Sequence, residues 1–276
     1  MRSIVHLSDL HFGRVDAALL APLLATVARI APDLVAVSGD LTQRARAAQF
    51  EQARAFLDAL PSPQIVVPGN HDVPLHNVLT RAFRPLKKYR RYITDDLRPF
   101  FSDGKIAVLG INTARSLTFK NGRISEEQLA CVRERFSQVA AGVTRIVVTH
   151  HPLDLPAGGD EKDLVGRSHF AMRTFAECGV DVLLAGHLHL GHVGNTAARY
   201  AIADHAALVV QAGTATSTRG RGETNSFNVI RIERPDIAVE RWNWNARTKT
   251  FEPSAPEHFR LDAGAWGARP YLTPAT

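Results

Sequence analysis

Five short apolar runs, each closed by a polar cluster, constrain the fold of this chain more than any other feature. Residues 4–7, 34–37, 65–67, 146–148 and 182–185 give way to Asp9-Leu10-His11, Gly39-Asp40, Gly69-Asn70-His71-Asp72, His150-His151 and Gly186-His187-Leu188-His189. Between them lie helical spacings, first Leu19, Leu20, Leu23, Leu24, Val27 and Ile30, then Phe50, Ala53, Phe56, Leu57 and Leu60. Strands alternating with helices read as βαβ units around a sheet with parallel strands. The strand ends of such a sheet lie at one edge, which predicts that all five clusters share one rim.

The rhythm continues and then changes. A strand is expected over residues 106–111, a helix from the capping box at Ser125 to about residue 140, and another helix over 168–178. Residues 74–100 read as mostly helical, with Arg81, Arg84, Lys87, Lys88, Arg90 and Arg91 on all sides, and so as a solvated face rather than a contact for a substrate's phosphate or a membrane surface. Beyond residue 190 helical periodicity fades. Residues 199–203, 208–210, 227–232 and 237–244 are strand-like and suggest antiparallel pairing in a second sheet. Two packed sheets with outer helices satisfy both halves, so the expected fold is α/β (α+β), a four-layer αββα sandwich of two mixed sheets with a metal site at strand ends. No repeat or linker separates the halves, so residues 1–246 are read as one domain and 247–276 as an extension packed on the surface or partly loose.

Composition narrows the classes without choosing a substrate. With 276 residues, 45% of them hydrophobic, the chain buries a sizeable core and is not a disordered protein. The net charge of +6 permits anionic partners, yet a solvated face accounts for most charge of this kind. Cys131 and Cys178 are far apart, and neither a disulfide framework nor a thiolate metal site is indicated. Met1-Arg2-Ser3 leads straight into a strand with no apolar leader, and no run is long enough to span a bilayer, so a cytoplasmic protein is expected.

The clusters themselves carry the chemistry. Asp9 and His11, like His187 and His189, are two apart, and on an extended backbone each pair shares a face and reaches one ion. Imidazoles, carboxylates and a carboxamide together suit Zn, Fe or Mn rather than Ca or Mg, and so many donors call for two ions. Asn70 is read as a metal ligand, with His71 doing acid–base or positioning work beside it. A lone Asp-x-His or Gly-x-His-x-His is a weak signal, because turns are rich in such residues; their joint occurrence in order is specific. His6 reads as a packed or hydrogen-bonded strand residue, and His76, His169, His192, His205 and His258 match no ligand position. His151 is read as lying behind the ligands rather than among them. Arg219 and Arg221 flank Gly220 in a loop read as structural, and Trp242 and Trp244 as sheet packing rather than base stacking.

Taken together, Asp9-x-His11, Gly39-Asp40, Gly69-Asn70-His71-Asp72, His150 and Gly186-His187-x-His189 resemble the complete signature of the calcineurin-like metallophosphoesterase superfamily over residues 4 to about 244. Residues 6–13, 122–128 and 225–228 resemble its bacterial cyclic-nucleotide and glycerophosphodiester phosphodiesterase branch. The resemblance implies one metal, often iron, on Asp9, His11, Asp40 and His189, and a second on Asp40, Asn70, His150 and His187, with Asp40 as the bridge. It implies divalent or mixed-valence transition metals (Fe, Mn or Zn) and a water between them that supplies hydroxide for attack on phosphorus. His71 matches the histidine that contacts a phosphate oxygen or protonates the leaving alkoxide, and Asp72 would fix its tautomer through the other ring nitrogen.

The expected function is hydrolysis of small phosphate esters, first a 3',5'-cyclic nucleotide or a glycerophosphodiester. The alternatives are a phosphomonoesterase or nucleotide pyrophosphohydrolase on the same centre, and a metal-binding scaffold that has lost the chemistry. Nucleic acid is not favoured as a partner, since neither a long basic groove nor an added binding domain is legible; the oligomeric state stays open.

Overall fold

The computed structural model describes residues 1–75, 78–116, 120–219 and 222–269. Pro270 to Thr276, and with them His76, Gly220 and Arg221, lie outside the described residues. The strands are β1 Arg2–Leu7, β2 Leu34–Ser38, β3 Gln64–Val67, β4 Phe100–Ser102, β5 Ile106–Gly110, β6 Thr144–Val148 and β7 Val182–Ala185. They continue as β8 His192–Asn195, β9 Leu208–Gln211, β10 Ser226–Glu233, β11 Asp236–Asn245, β12 Thr250–Pro253, β13 Glu257–Asp262 and β14 Ala265–Arg269. The helices are α1 Ala17–Ile30, α2 Ala47–Asp58, α3 Val78–Phe83, α4 Lys87–Tyr92, α5 Glu126–Ser137 and α6 Ser168–Glu177. None of the described helices is long and apolar enough to cross a membrane.

Two mixed sheets result. The first runs β14-β13-β11-β10-β1-β2-β3, with β12 also paired to β11, and the second runs β4-β5-β6-β7-β9-β8. β1, β2 and β3 are parallel, as are β5, β6, β7 and β9, whereas β10 to β14, β4 and β8 pair antiparallel. The strand-rich last third therefore does not form a sheet of its own. β8 and β9 complete the second sheet, while β10 crosses back to pair with β1 of the first. Sequence pattern could not show this, because a strand's alternation reports its buried faces and not its neighbours.

Strand geometry explains the layers. Successive side chains point to opposite faces, so Ile4, Leu34 and Ala36 face the second sheet while Val5, Val35 and Val37 face the helices. The second sheet does the same with Ile146, Val148, Val182 and Leu184 inward and Val147 and Leu183 outward. One apolar layer thus lies between the sheets, a second under α1 and α2, and a third under α5 and α6. This is the αββα order, and burial on both faces is why the parallel strands read as unbroken apolar runs.

Local signals behave as their chemistry dictates. Ser125 caps α5, its Oγ accepting from the Gln128 amide at 3.3 Å while the Gln128 side chain accepts from the Ser125 amide at 2.9 Å. Trp242 and Trp244 pack on Phe227 and Phe251, and both cysteines are free thiols. Two expectations need correction. Residues 199–203 are not a strand; the chain turns through a 3₁₀ stretch at Thr196–Ala198, and the Tyr200 hydroxyl anchors it on the Leu153 carbonyl. Residues 74–100 are not mostly helical; among the described residues of that stretch the helices are α3 and α4, six residues each. Residues 247–269 add β12 to β14 to the first sheet, and the Trp266 side chain is fully buried against it.

Candidate metal centre

Every candidate ligand stands just past the end of a strand. Asp9 and His11 follow β1, Asp40 follows β2, Asn70 opens a 3₁₀ turn after β3, His150 follows β6, and His187 and His189 follow β7. The backbone there is not extended. Asp9, His11, Asp40, His187 and His189 have φ of 54, 52, 52, 73 and 58°. Asp and His enter this left-handed region more readily than bulky residues do, though at a cost of roughly 1–2 kcal/mol each. The expectation that each i, i+2 pair shares a strand face is therefore corrected. The strands stop, and left-handed turns curl the chain into the rim, held by the Asp9 amide on Gly39 O at 3.1 Å and the His11 amide on Asp40 O at 2.9 Å.

Two glycines make room for this curl. A Cβ on Gly69 would lie 2.1 Å from Asp40 Oδ1, and one on Gly186 would lie 1.8 Å from Ser8 Oγ and 2.7 Å from Asp9 Oδ2. Both positions require the carboxylates to touch bare backbone.

The side chains gather into two groups, Asp9, His11, Asp40 and His189 in one and His150, His151 and His187 in the other, with ligand atoms within 4.8 Å of one another in each. His189 Nε2 lies 3.1 Å from Asp9 Oδ1 and 3.1 Å from His11 Nε2, and His11 Nε2 lies 3.6 Å from Asp40 Oδ2. In the other group His150 Nε2 lies 3.4 Å from Asp40 Oδ1, 3.1 Å from Asn70 Oδ1 and 3.3 Å from His187 Nδ1. Asp40 turns one oxygen to each group. His187 and His189, two apart in sequence, part company and serve different groups.

His151 belongs to its cluster by distance but not by chemistry. Its Nδ1 is held by Thr113 Oγ1 at 2.7 Å and its Nε2 donates to the Lys120 carbonyl at 2.9 Å, so neither nitrogen offers a free lone pair. His150 and His189 are the reverse. Each donates Nδ1–H to a backbone carbonyl, Ser38 O at 2.7 Å and Arg219 O at 3.1 Å, which fixes the tautomer and aims Nε2 at the site.

The electrostatics match a cation. Asp9 Oδ1 is buried with no hydrogen-bond donor, facing an imidazole nitrogen that carries no proton in the neutral tautomer. Two such acceptors in contact require positive charge. Burial disfavours the Asp9 and Asp40 carboxylates, but His189 and His11 beside Asp9, and His150, His71 and His11 beside Asp40, hold both well below the usual carboxylate range. Burial also opposes charge on His150, yet Asp40 outweighs it and pushes that imidazole up to about 9. A proton on His150 or a metal ion answers the same demand. His187, by contrast, is pushed down to about 3 by burial and by His150, so it rests as a neutral donor nitrogen. Asp9, His11, Asp40 and His189 could hold one metal ion, and Asp40, Asn70, His150 and His187 offer mixed nitrogen and oxygen donors that could hold a second.

His71 and Asp72 take different places from each other. His71 lines the same cavity, about 230 Å³, as Asp40, Asn70, His187 and His189. Its Nδ1–H donates to the Gln43 carbonyl at 3.0 Å and its Nε2 accepts from Arg219 Nη1 at 3.1 Å. Burial, with His11 and Arg219 nearby, lowers its pKa, so the ring is neutral. The expectation that Asp72 holds the ring is corrected. Asp72 turns inward and accepts from the amides of Gly69 (2.9 Å), Leu41 (3.1 Å) and Thr42 (2.8 Å) and from Thr42 Oγ1 (3.0 Å), tying the Asp40 loop to the Asn70 loop. Burial and the adjacent Asp40 push it up to about 6.

Sequence reasoning missed the partner of His71 because the group that holds it is a backbone carbonyl, which no residue type announces. It also read the Arg219 loop as structural, whereas Arg219 reaches His71 with its side chain and His189 with its carbonyl. His6 is fully buried, with Nε2 on Ser38 Oγ at 2.9 Å.

A family model described as calcineurin-like phosphoesterase matches residues 2–191. The chain is 28% identical over 171 residues to the glycerophosphodiester phosphodiesterase GpdQ of Enterobacter lignolyticus, covering 58% of this chain and 60% of that protein. It is 24% identical over 205 residues to a probable cyclic nucleotide phosphodiesterase of Synechococcus, covering 68% and 73%. In fold it is similar to the purple acid phosphatase PPD1 of yellow lupin, with a TM-score of 0.72 at 12% identity over the whole of this chain and 57% of the lupin chain.

Proposed function

The chain belongs to the calcineurin-like phosphoesterase family, and from that premise we propose that it is a two-metal phosphodiesterase of small substrates, a 3',5'-cyclic nucleotide or a glycerophosphodiester. The observation that carries the reading is the pairing of the two donor groups with His71 and Arg219 in one cavity. When bound, the ions supply Lewis-acid polarisation of the phosphate and a nucleophile made from water near neutral pH. Iron, manganese or zinc suit the donors; relatives named for glycerophosphodiester and cyclic-nucleotide substrates support the diester.

The chain's own residues supply the rest. Arg219 offers a fixed positive charge for a non-bridging phosphate oxygen, which two donors on a guanidinium hold in one orientation. His71 is neutral with Nδ1–H on Gln43 O; once Arg219 turns from its Nε2 to the phosphate, that nitrogen takes a proton from solvent water and passes it to the leaving oxygen. A cavity of about 230 Å³ lies below the roughly 300–1,000 Å³ of pockets for drug-sized ligands and suits one phosphate ester with a modest substituent.

A second reading, a nucleotide pyrophosphohydrolase, is favoured by Arg44, a further exposed cation in the same cavity with no carboxylate partner among the described residues. The two are separated by assaying metal-loaded enzyme on cyclic AMP, glycerophosphodiesters, nucleoside diphosphate derivatives, and bis(4-nitrophenyl) phosphate against 4-nitrophenyl phosphate. Higher kcat/KM on the diesters supports the first reading; a preference for the diphosphates or the monoester overturns it.

A further inference from the structure

The basic stretch after the Asn70 loop acquires a function from the way the chain breaks it. Pro85, which has no amide hydrogen to continue a helix, lies between α3 and α4, and the break sorts the side chains by direction. Leu86 and Tyr89 are buried in the core. Arg81, only 5% exposed, donates to Ser116 O and Pro74 O, and Lys88 donates to Ala45 O. Arg84, Lys87, Arg90 and Arg91 remain exposed. Together with Phe83 they line one cavity of about 650 Å³. Of the charges that the sequence spreads around a single helix, these four therefore gather about one cavity.

Two apolar side chains stand exposed on α3, and one of them, Phe83, lines that cavity. Leu79 is 73% and Phe83 80% exposed, four residues apart on α3 and so on one helix face. Among the described residues the other large exposed apolar side chains are Met1 and Phe170, each alone. Of the four exposed cations, among the described residues, Arg90 alone has a carboxylate within reach, Asp95 at 3.9 Å. Single exposed apolar residues need no explanation, but a pair beside uncompensated cations marks a contact surface.

We propose that this face docks the protein on the surface of an anionic lipid bilayer. Leu79 and Phe83 enter the boundary between headgroups and acyl chains, and Arg84, Lys87, Arg90 and Arg91 meet lipid phosphates within a Debye length of it. A nucleic acid would engage the cations but leave Leu79, which has no ring to stack on a base, exposed to water. Arg81, on α3 between Leu79 and Phe83, lines the candidate metal cavity, so the helix that carries the docking pair borders the site.

The test is flotation of the full-length, metal-loaded protein with phosphatidylcholine vesicles, with and without phosphatidylglycerol. Binding is expected only with the anionic lipid and weakens as salt rises. A Leu79→Ser/Phe83→Ser variant loses binding, and Arg84→Glu/Lys87→Glu weakens it by at least roughly fivefold for each cation removed. Both variants keep wild-type turnover of bis(4-nitrophenyl) phosphate, which reports an intact fold. No binding to anionic vesicles at low salt overturns the proposal, as does binding that survives both pairs of substitutions. A wild-type dimer in light scattering that both variants dissociate assigns the face to a second copy and also overturns it.

Discussion

Arg219 donates through Nη1 to Nε2 of His71 at 3.1 Å, while its own carbonyl accepts the Nδ1–H of His189. One residue thus touches both the group assigned to proton transfer and a candidate metal ligand. The backbone contact survives any substitution at this position, and the side-chain contact does not.

Arg219→Gln should therefore keep both metals and lose turnover. The expected fall in kcat/KM is about 10²- to 10³-fold, the scale for one donor aimed at developing charge. Metal analysis alongside kinetics checks it. A variant that turns over normally removes the guanidinium from the reaction.

Asp40 faces both donor groups through different oxygens, 3.6 Å from His11 and 3.4 Å from His150. Asp40→Ala is expected to lower metal content at both positions and abolish hydrolysis. Because ions that bind only the folded state stabilise it by mass action, metal should no longer raise the melting temperature of this variant. Two tightly held ions in Asp40→Ala would falsify the bridging role.

Asp72 ties two loops together through four hydrogen bonds. In Asp72→Asn an amide group replaces an acceptor that faces backbone N–H donors, and the expected loss is about 2–4 kcal/mol in urea unfolding. Activity falls with it as His71 and Asn70 shift. If stability held and only kcat fell, Asp72 would be acting on His71 after all.

His6 is buried as a neutral ring, with its pKa pushed down to about 3 mainly by burial. The unfolded chain protonates this histidine near pH 6.5, the folded chain only near 3, so its contribution is complete above pH 6.5 and is lost as pH falls. The slope is about 1.4 kcal/mol per pH unit for one proton. His6→Gln cannot charge; between pH 7 and pH 5 the wild type should lose about 2 kcal/mol more than the variant in denaturant titrations. Equal losses would mean that His6 is protonated in the native state.

The rim was legible because its chemistry is in side chains that sit at strand ends, and strand ends are visible as the close of a β-branched run. The four-layer order was legible for a related reason, since burial on both faces leaves continuous apolar strings such as Leu34 to Val37. What sequence could not show is what backbone does. Ser38 O, Gln43 O and Arg219 O orient His150, His71 and His189, and any residue type could have supplied them. Strand partners were equally hidden: nothing in residues 226–233 says that they return to β1 rather than pair with β9.

The left-handed backbone at Asp9, His11, Asp40, His187 and His189 has an evolutionary consequence. Glycine is the residue best suited to each of those conformations, and it would relax the fold there while deleting a candidate ligand. Selection for stability and selection for catalysis therefore pull in opposite directions at the same five codons. A descendant released from catalysis would drift toward glycine at these sites and become sturdier as it fell silent, so their occupancy in a related sequence is a direct way to tell an active hydrolase from an inherited scaffold.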